Sequence, residues 1–135
     1  MTTSKDDGTM VDDCARFDLK QEIADAESNK PWQEGHTAKT LFKKPDFRVV
    51  LVNMEKSSRL KEHHADGTIS VQVLQGEIRF IADGKVHTLS TGSLFTLGVS
   101  IKHEVEAVQD SAFLLTIAWP EGKELAAMEH RGYGS

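Results

Sequence analysis

Three histidines in this chain fall where a binding site could be built. His63 and His64 stand side by side twelve or so residues before Gly76, and Gly92 stands eleven residues before His103. Neutral imidazole is the commonest protein ligand for transition metals, and it suits zinc, iron and nickel. A carboxylate such as Glu62 beside it extends the range to manganese. Histidines carried on two separate strands can be brought to one point inside a small β-barrel. Such a point suits a divalent transition metal (Fe, Zn, Mn or Ni), or a small molecule with no metal at all. Adjacent histidines in a polar stretch are also common as plain solvent-exposed groups, so the elements around them decide what they can do.

Those elements read as short strands. Thr37 to Phe42 leads through a Lys-Pro-Asp turn into Phe47 to Met54, which is rich in β-branched residues. Thr68 to Leu74 alternates cleanly, with Ile69, Val71 and Val73 on one face and Ser70 and Gln72 on the other. Glu77 to Ala82 follows Gly76, and Asp83-Gly84 is a two-residue hairpin signal into Val86 to Leu89. Leu94 to Leu97, His103 to Val108 and Ala112 to Trp119 complete the series. Many short strands at this spacing predict an all-β sandwich or barrel rather than a parallel sheet. Ahead of them, Phe17 to Ser28 predicts a short helix with Asp18 as its cap, broken by Pro31. Trp32 is expected to pack down over a barrel end. Residues 1–13 are expected to form a loose tail, residues 14–135 one domain, and Glu121 to His130 a short helix.

Composition narrows the function. A 15.0 kDa chain with 39% hydrophobic and 27% charged residues is that of an ordinary soluble domain with one core. A net charge of -5 argues against nucleic acid as the partner. Lys39, Lys43, Lys44 and Arg48 form a local basic cluster that reads as a solvated strand edge. Cys14 is the single cysteine, so no internal disulfide forms and a reducing cytoplasm fits. No apolar run approaches membrane-spanning length, which predicts no membrane partner. His36, His87 and His130 read as surface residues, and Glu104 and Glu106 as a solvated strand face.

The stretch from about Ser58 to Trp119 resembles the cupin superfamily of double-stranded β-helix (jelly-roll) barrels. Their first motif is two histidines one residue apart, a glutamate four or five residues on, and a glycine seven beyond that. The second runs from a glycine, through a proline and a glycine, to a histidine eleven residues on. Here Val73-Leu74-Gln75-Gly76-Glu77 matches the strand end of the first motif, and Gly92 and His103 match the two ends of the second. Lys30-Pro31-Trp32 and the Phe47 to Val52 strand resemble the N-terminal extension of uncharacterised single-domain cupins. The departures are specific. Ile69 stands where the glutamate would be, and Gly98 and Ser100 replace the proline and glycine of the second motif. Two registers remain open for the first histidines. Either His63 and Ala65 fill the two ligand slots, or Glu62 and His64 do, since strand parity sets 62 and 64 on one face unless a bulge intervenes.

The resemblance implies an all-β barrel with a short helical or loop extension. It implies a metal site drawn from His63, His64 and His103, with Glu62 as an alternative, and a pocket walled by Ile69, Val71, Val73 and Phe95. It also implies a homodimer, for which the apolar Val49 to Val52 run offers an edge or interface strand. Two functions are expected on this basis. One is a metal-dependent dioxygenase, isomerase or lyase acting on a small metabolite. The other is a non-catalytic binding or sensor barrel that has lost its full ligand set.

Overall fold

The computed structural model describes residues 14–63 and 66–119, except the side chains of Glu62 and His63. The expected N-terminal tail, the C-terminal helix, His64 and His130 lie outside the described residues. The helix forms as α1 (Leu19–Glu27), and the Asp18 carboxylate accepts from the Gln21 backbone N–H at 3.1 Å. That bond satisfies one of the four N–H groups every helix start leaves open.

Nine strands lie beyond it: β1 (His36–Lys44), β2 (Phe47–Met54), β3 (Arg59–His63), β4 (Thr68–Gln75), β5 (Glu77–Ala82), β6 (Lys85–Ser90), β7 (Leu94–Leu97), β8 (His103–Ala107) and β9 (Ser111–Ala118). They form a five-stranded antiparallel sheet in the order β1-β2-β9-β4-β7 and a four-stranded one in the order β3-β8-β5-β6. This is the expected all-β architecture with a short helical extension. β3 is the one strand the hydrophobic pattern did not announce, because Arg59-Leu60-Lys61-Glu62-His63 carries a single apolar residue.

The core is a stack of side-chain rows. Residues paired across an antiparallel ladder project to the same face, so register defines each row. In the larger sheet these are Val52–Phe113–Val73, Val50–Leu115–Val71–Phe95 and Arg48–Ile117–Ile69–Leu97. Facing them in the smaller sheet are Ala107–Ile78–Leu89, Val105–Phe80–His87 and His103–Ala82. Val50, Val71, Ile78, Phe80, Val105 and Leu115 lose all contact with solvent.

Two expectations are corrected here. The Val49 to Val52 run is no edge, because β2 lies between β1 and β9. Val50 and Val52 point into the core, and Leu51 is buried on the opposite face, in a cleft it shares with α1. The run is thus accounted for within one chain. The basic cluster is also not uniformly solvated. Arg48 shares its face with Val50, Val52 and Met54, and it is only 1% exposed.

The motif glycines serve the backbone. Gly76 has φ +83°, and a Cβ there would run into the Asp110 carbonyl oxygen and the Ser111 hydroxyl. Gly84 has φ +74° but open space around it, in the Asp83-Gly84 hairpin turn between β5 and β6. Gly76→Ala is therefore expected to lower stability by about 2–4 kcal/mol, combining left-handed strain with overpacking. Gly84→Ala should lose only about 1–2 kcal/mol. Urea unfolding midpoints of the two variants check this difference.

Candidate functional site

One end of the barrel gathers the groups that could do chemistry. At that end β2 begins, β9 finishes and β4 begins, since Phe47 and Thr68 both pair with Ala118. Leu97 at the end of β7 pairs with Ile69 near the start of β4, and His63 at the end of β3 pairs with His103 at the start of β8. His103 is the first residue of β8 and is 2% exposed. Its ring stacks on Phe80, with centroids 5.2 Å apart and planes 17° from parallel. Its Nδ1 lies 2.9 Å from the Ile101 carbonyl oxygen. A carbonyl can only accept, so Nδ1 carries a proton there. The turn leading into β8 includes Ser100 at φ +62°, which places a left-handed residue where the resemblance expects a glycine.

The backbone of β3 places His63 opposite His103. Arg59 pairs with Glu106 and Leu60 with Val105, then the register shifts so that His63 pairs with His103. One extra residue on β3 between Leu60 and His63 produces this shift, as a β-bulge does.

Ile69, the residue in the glutamate position, is 2% exposed and belongs to the core together with Val71 and Val73. Phe95 is half-buried, 5.0 Å from the Phe80 ring. The four pocket residues named from the sequence therefore share the barrel's inner face. Among the described residues no three His, Cys, Asp or Glu side chains come together as a metal-binding group.

Three residues at or near this end escaped the sequence reading. His87 is not a surface residue. It pairs with Phe80 and packs on Phe95 at 4.7 Å, so it faces inward. Arg48 points into the barrel in the row of Ile117 and Ile69, and burial pushes its guanidinium pKa down. Trp119 packs in the same core, with its ring 6.0 Å from the Arg48 guanidinium carbon. Its indole Nε1 is buried without a hydrogen-bond partner. Alternation with Val50, Val52 and Met54 would have revealed Arg48, and alternation with Leu89 would have revealed His87.

Trp32 is also elsewhere than expected. It donates its indole N–H to the Ala26 carbonyl at 2.9 Å and lines a cleft of about 170 Å³ on the outer face of the larger sheet. Leu51 and Asn53 line the same cleft, which sets Trp32 beside α1 rather than over a barrel end. Glu104 and Glu106 pair with Arg59 and Arg79, in keeping with a solvated outer face.

No protein-family profile matches this chain, and no curated protein does. Solved structures do. A conserved protein of unknown function from Streptococcus pyogenes superposes with a TM-score of 0.67 at 22% identity, over 82% of this chain and 92% of that one. A cupin-2 conserved barrel domain protein from Leptotrichia buccalis gives a TM-score of 0.62 at 29% identity, over 69% of this chain and 45% of that one. Others that match are named as RmlC-like cupins. The fold is that of the cupins. The salicylate 1,2-dioxygenase of Pseudoaminobacter salicylatoxidans, solved with gentisate, shares it at a TM-score of 0.64 and 14% identity, over 81% of this chain and 31% of that one. Among the described residues, no helix is long and apolar enough to cross a membrane.

Asn53 offers a check on the packing of its outer face. Its side chain is 1% exposed, and Nδ2 is buried with no hydrogen-bond partner. A buried donor left unpaired costs about 1–3 kcal/mol. Asn53→Leu, similar in volume, should therefore raise stability by roughly 1 kcal/mol, seen as a higher urea midpoint at unchanged slope.

Proposed function

We propose that this cupin binds a small metabolite at the His103 end of its barrel, and that a divalent metal, where bound, takes its protein ligands from His63, His64 and His103. The observation that carries this reading is the register of β3 on β8, which sets the backbone of His63 directly opposite that of His103. The fixed Nδ1 of His103 supports it. A ligating imidazole is usually held by a hydrogen bond from its other nitrogen, commonly to a backbone carbonyl.

The donor set fits a metal in part. His103 has the burial and the anchoring of a ligand, whereas Ile69 puts a hydrocarbon where the resemblance expects a carboxylate. Fewer anionic donors mean weaker retention of a divalent ion. A metal held there would act as a Lewis acid toward an oxygen of the bound compound. The chain's own contribution is to orient that compound between His103 and the walls made by Ile69, Val71 and Phe95, and to exclude water from it. Catalysis as a dioxygenase, isomerase or lyase belongs to this metal-bearing reading.

A second reading, a binding or sensor barrel without chemistry, is favoured by Ile69 itself. One structural neighbour is a dioxygenase, which supports the first reading. A homodimer is the proposed assembly under either. With β2 internal, the outer strand β1 is the edge that would pair.

Elemental analysis of protein purified without added metal or chelator tests the metal. Substoichiometric iron, zinc, manganese or nickel is expected, lost in His103→Ala. Ile69→Glu supplies the absent carboxylate and should tighten metal binding about tenfold or more, roughly 1.4 kcal/mol. Titration of the apo protein with each ion measures this. A metal-free protein that Ile69→Glu also fails to load would remove the metal and leave the binding module.

A further inference from the structure

The cleft between α1 and the outer face of the larger sheet is polar where a helix docked on a sheet is ordinarily apolar. We infer that it binds a small organic monocation, a primary ammonium whose far end is a hydroxyl or a primary amide. The site lies on the face of the sheet turned away from the core and is independent of the His103 end.

Sheet and helix each supply one side. On the sheet, Asn53 lies between Thr37 and Ala112, and Leu51 between Lys39 and Leu114. On the helix, Glu22, Asp25 and Ala26 recur three or four residues apart, so they share the face that lines the cleft. No residue of α1 is fully buried, and the side toward the sheet presents two carboxylates.

Charge selects a cation. Glu22 is matched by Lys39, whose Nζ lies 2.8 Å from its carboxylate. Asp25 accepts from the neutral Gln21 amide at 2.9 Å, and among the described residues it forms no ion pair. Glu22, Asp25 and Lys39 thus leave the cleft one negative charge in excess. Asp25 also stands in the last turn of α1, which has no basic residue. The carbonyl end of a helix favours a positive charge. Asp25 is exposed, so an ammonium beside it keeps much of its water and escapes the cost of burying an ion.

The floor requires an uncharged group. Asn53 is 1% exposed, and its Nδ2 has no partner. A charge buried against it would lose hydration with no counter-charge. A hydroxyl or a primary amide both donates and accepts, so it pairs with the Asn53 amide in either orientation. Leu51 and Trp32 offer apolar walls to the methylenes between the two ends. The cleft measures about 170 Å³. A cavity of about 150 Å³ holds benzene, which sets the ligand at about six to eight non-hydrogen atoms.

Titration of the full-length protein with three molecules of equal size tests this: β-alaninamide, butyramide and isoamylamine. The first carries both ends, the second lacks the ammonium, and the third lacks the amide. The readouts are the NMR signals of the Asn53 side-chain amide and of the Trp32 indole N–H, a local reporter because it is bonded to the Ala26 carbonyl. β-Alaninamide should shift both with saturation and leave the His103 ring unmoved. Butyramide and isoamylamine should each bind about fivefold more weakly or worse. Asn53→Leu, expected to fold at least as well as the parent, should weaken β-alaninamide about tenfold, read at Trp32. Asp25→Asn should weaken it about threefold, and added salt should weaken the parent in the same direction. Butyramide binding as well as β-alaninamide would overturn the cation. Isoamylamine binding as well, or no loss in Asn53→Leu, would overturn the pairing at the floor. If β-alaninamide gives no saturable shift at either signal, the cleft holds water only and the inference falls, while the His103 end keeps its own test.

Discussion

The structure depends on β9 pairing in fixed register with β2 on one side and β4 on the other. Each inner row of the larger sheet crosses β9, through Phe113, Leu115 or Ile117. Side chains alternate with a period of two, so a slip of one residue would turn all three out of the core together. Burial of those apolar rows holds the register, at roughly 25 cal/mol for each Å² removed from water. The His103 end inherits its layout from that register. Ile69 and Arg48 share one row because both pair with Ile117, and Trp119 is delivered to the same end as the next inward residue of the chain.

Against that regular lattice, the bulge on β3 is the local irregularity with functional weight. An extra residue in one strand leaves the partner strand's alternation unchanged while re-aiming the side chains beyond the insertion. On β3 it falls between Leu60 and His63, immediately before the histidine pair. The effect is to pair the backbone of His63 with that of His103. Bulges commonly sit beside sites, and this one lies where two strands meet at the His103 end.

The polar groups at that end are placed at an energetic disadvantage. A cation in an apolar row loses hydration, which is why burial lowers the Arg48 pKa, and a buried indole N–H without an acceptor loses a hydrogen bond. Cores dominated by Val, Ile, Leu and Phe gain nothing in stability from such residues. Asn53 and Trp32 line a separate cleft on the outer face, beside α1.

The sequence alone was enough for the fold class, eight of the nine strands, the capped helix and the positions of Ile69 and His103. These are local or periodic features: alternation, turn residues and a cap each act within a few residues of themselves. β3 was not legible, because it has one apolar residue and its strand character comes from pairing with β8. The bulge could not be read either, since it exists only relative to a partner strand. Arg48 was misassigned because charge was weighed above parity, although its alternation with Val50 and Val52 was visible. His87 and the Val49 to Val52 run were misassigned because inside and edge are properties of strand order. Local chemistry along the chain determined which elements form. Tertiary pairing alone decided which side chains meet at the His103 end. Arg48 and Trp119 are far apart in the chain and meet only because β2 pairs with β9, and His63 comes opposite His103 only because β3 pairs with β8.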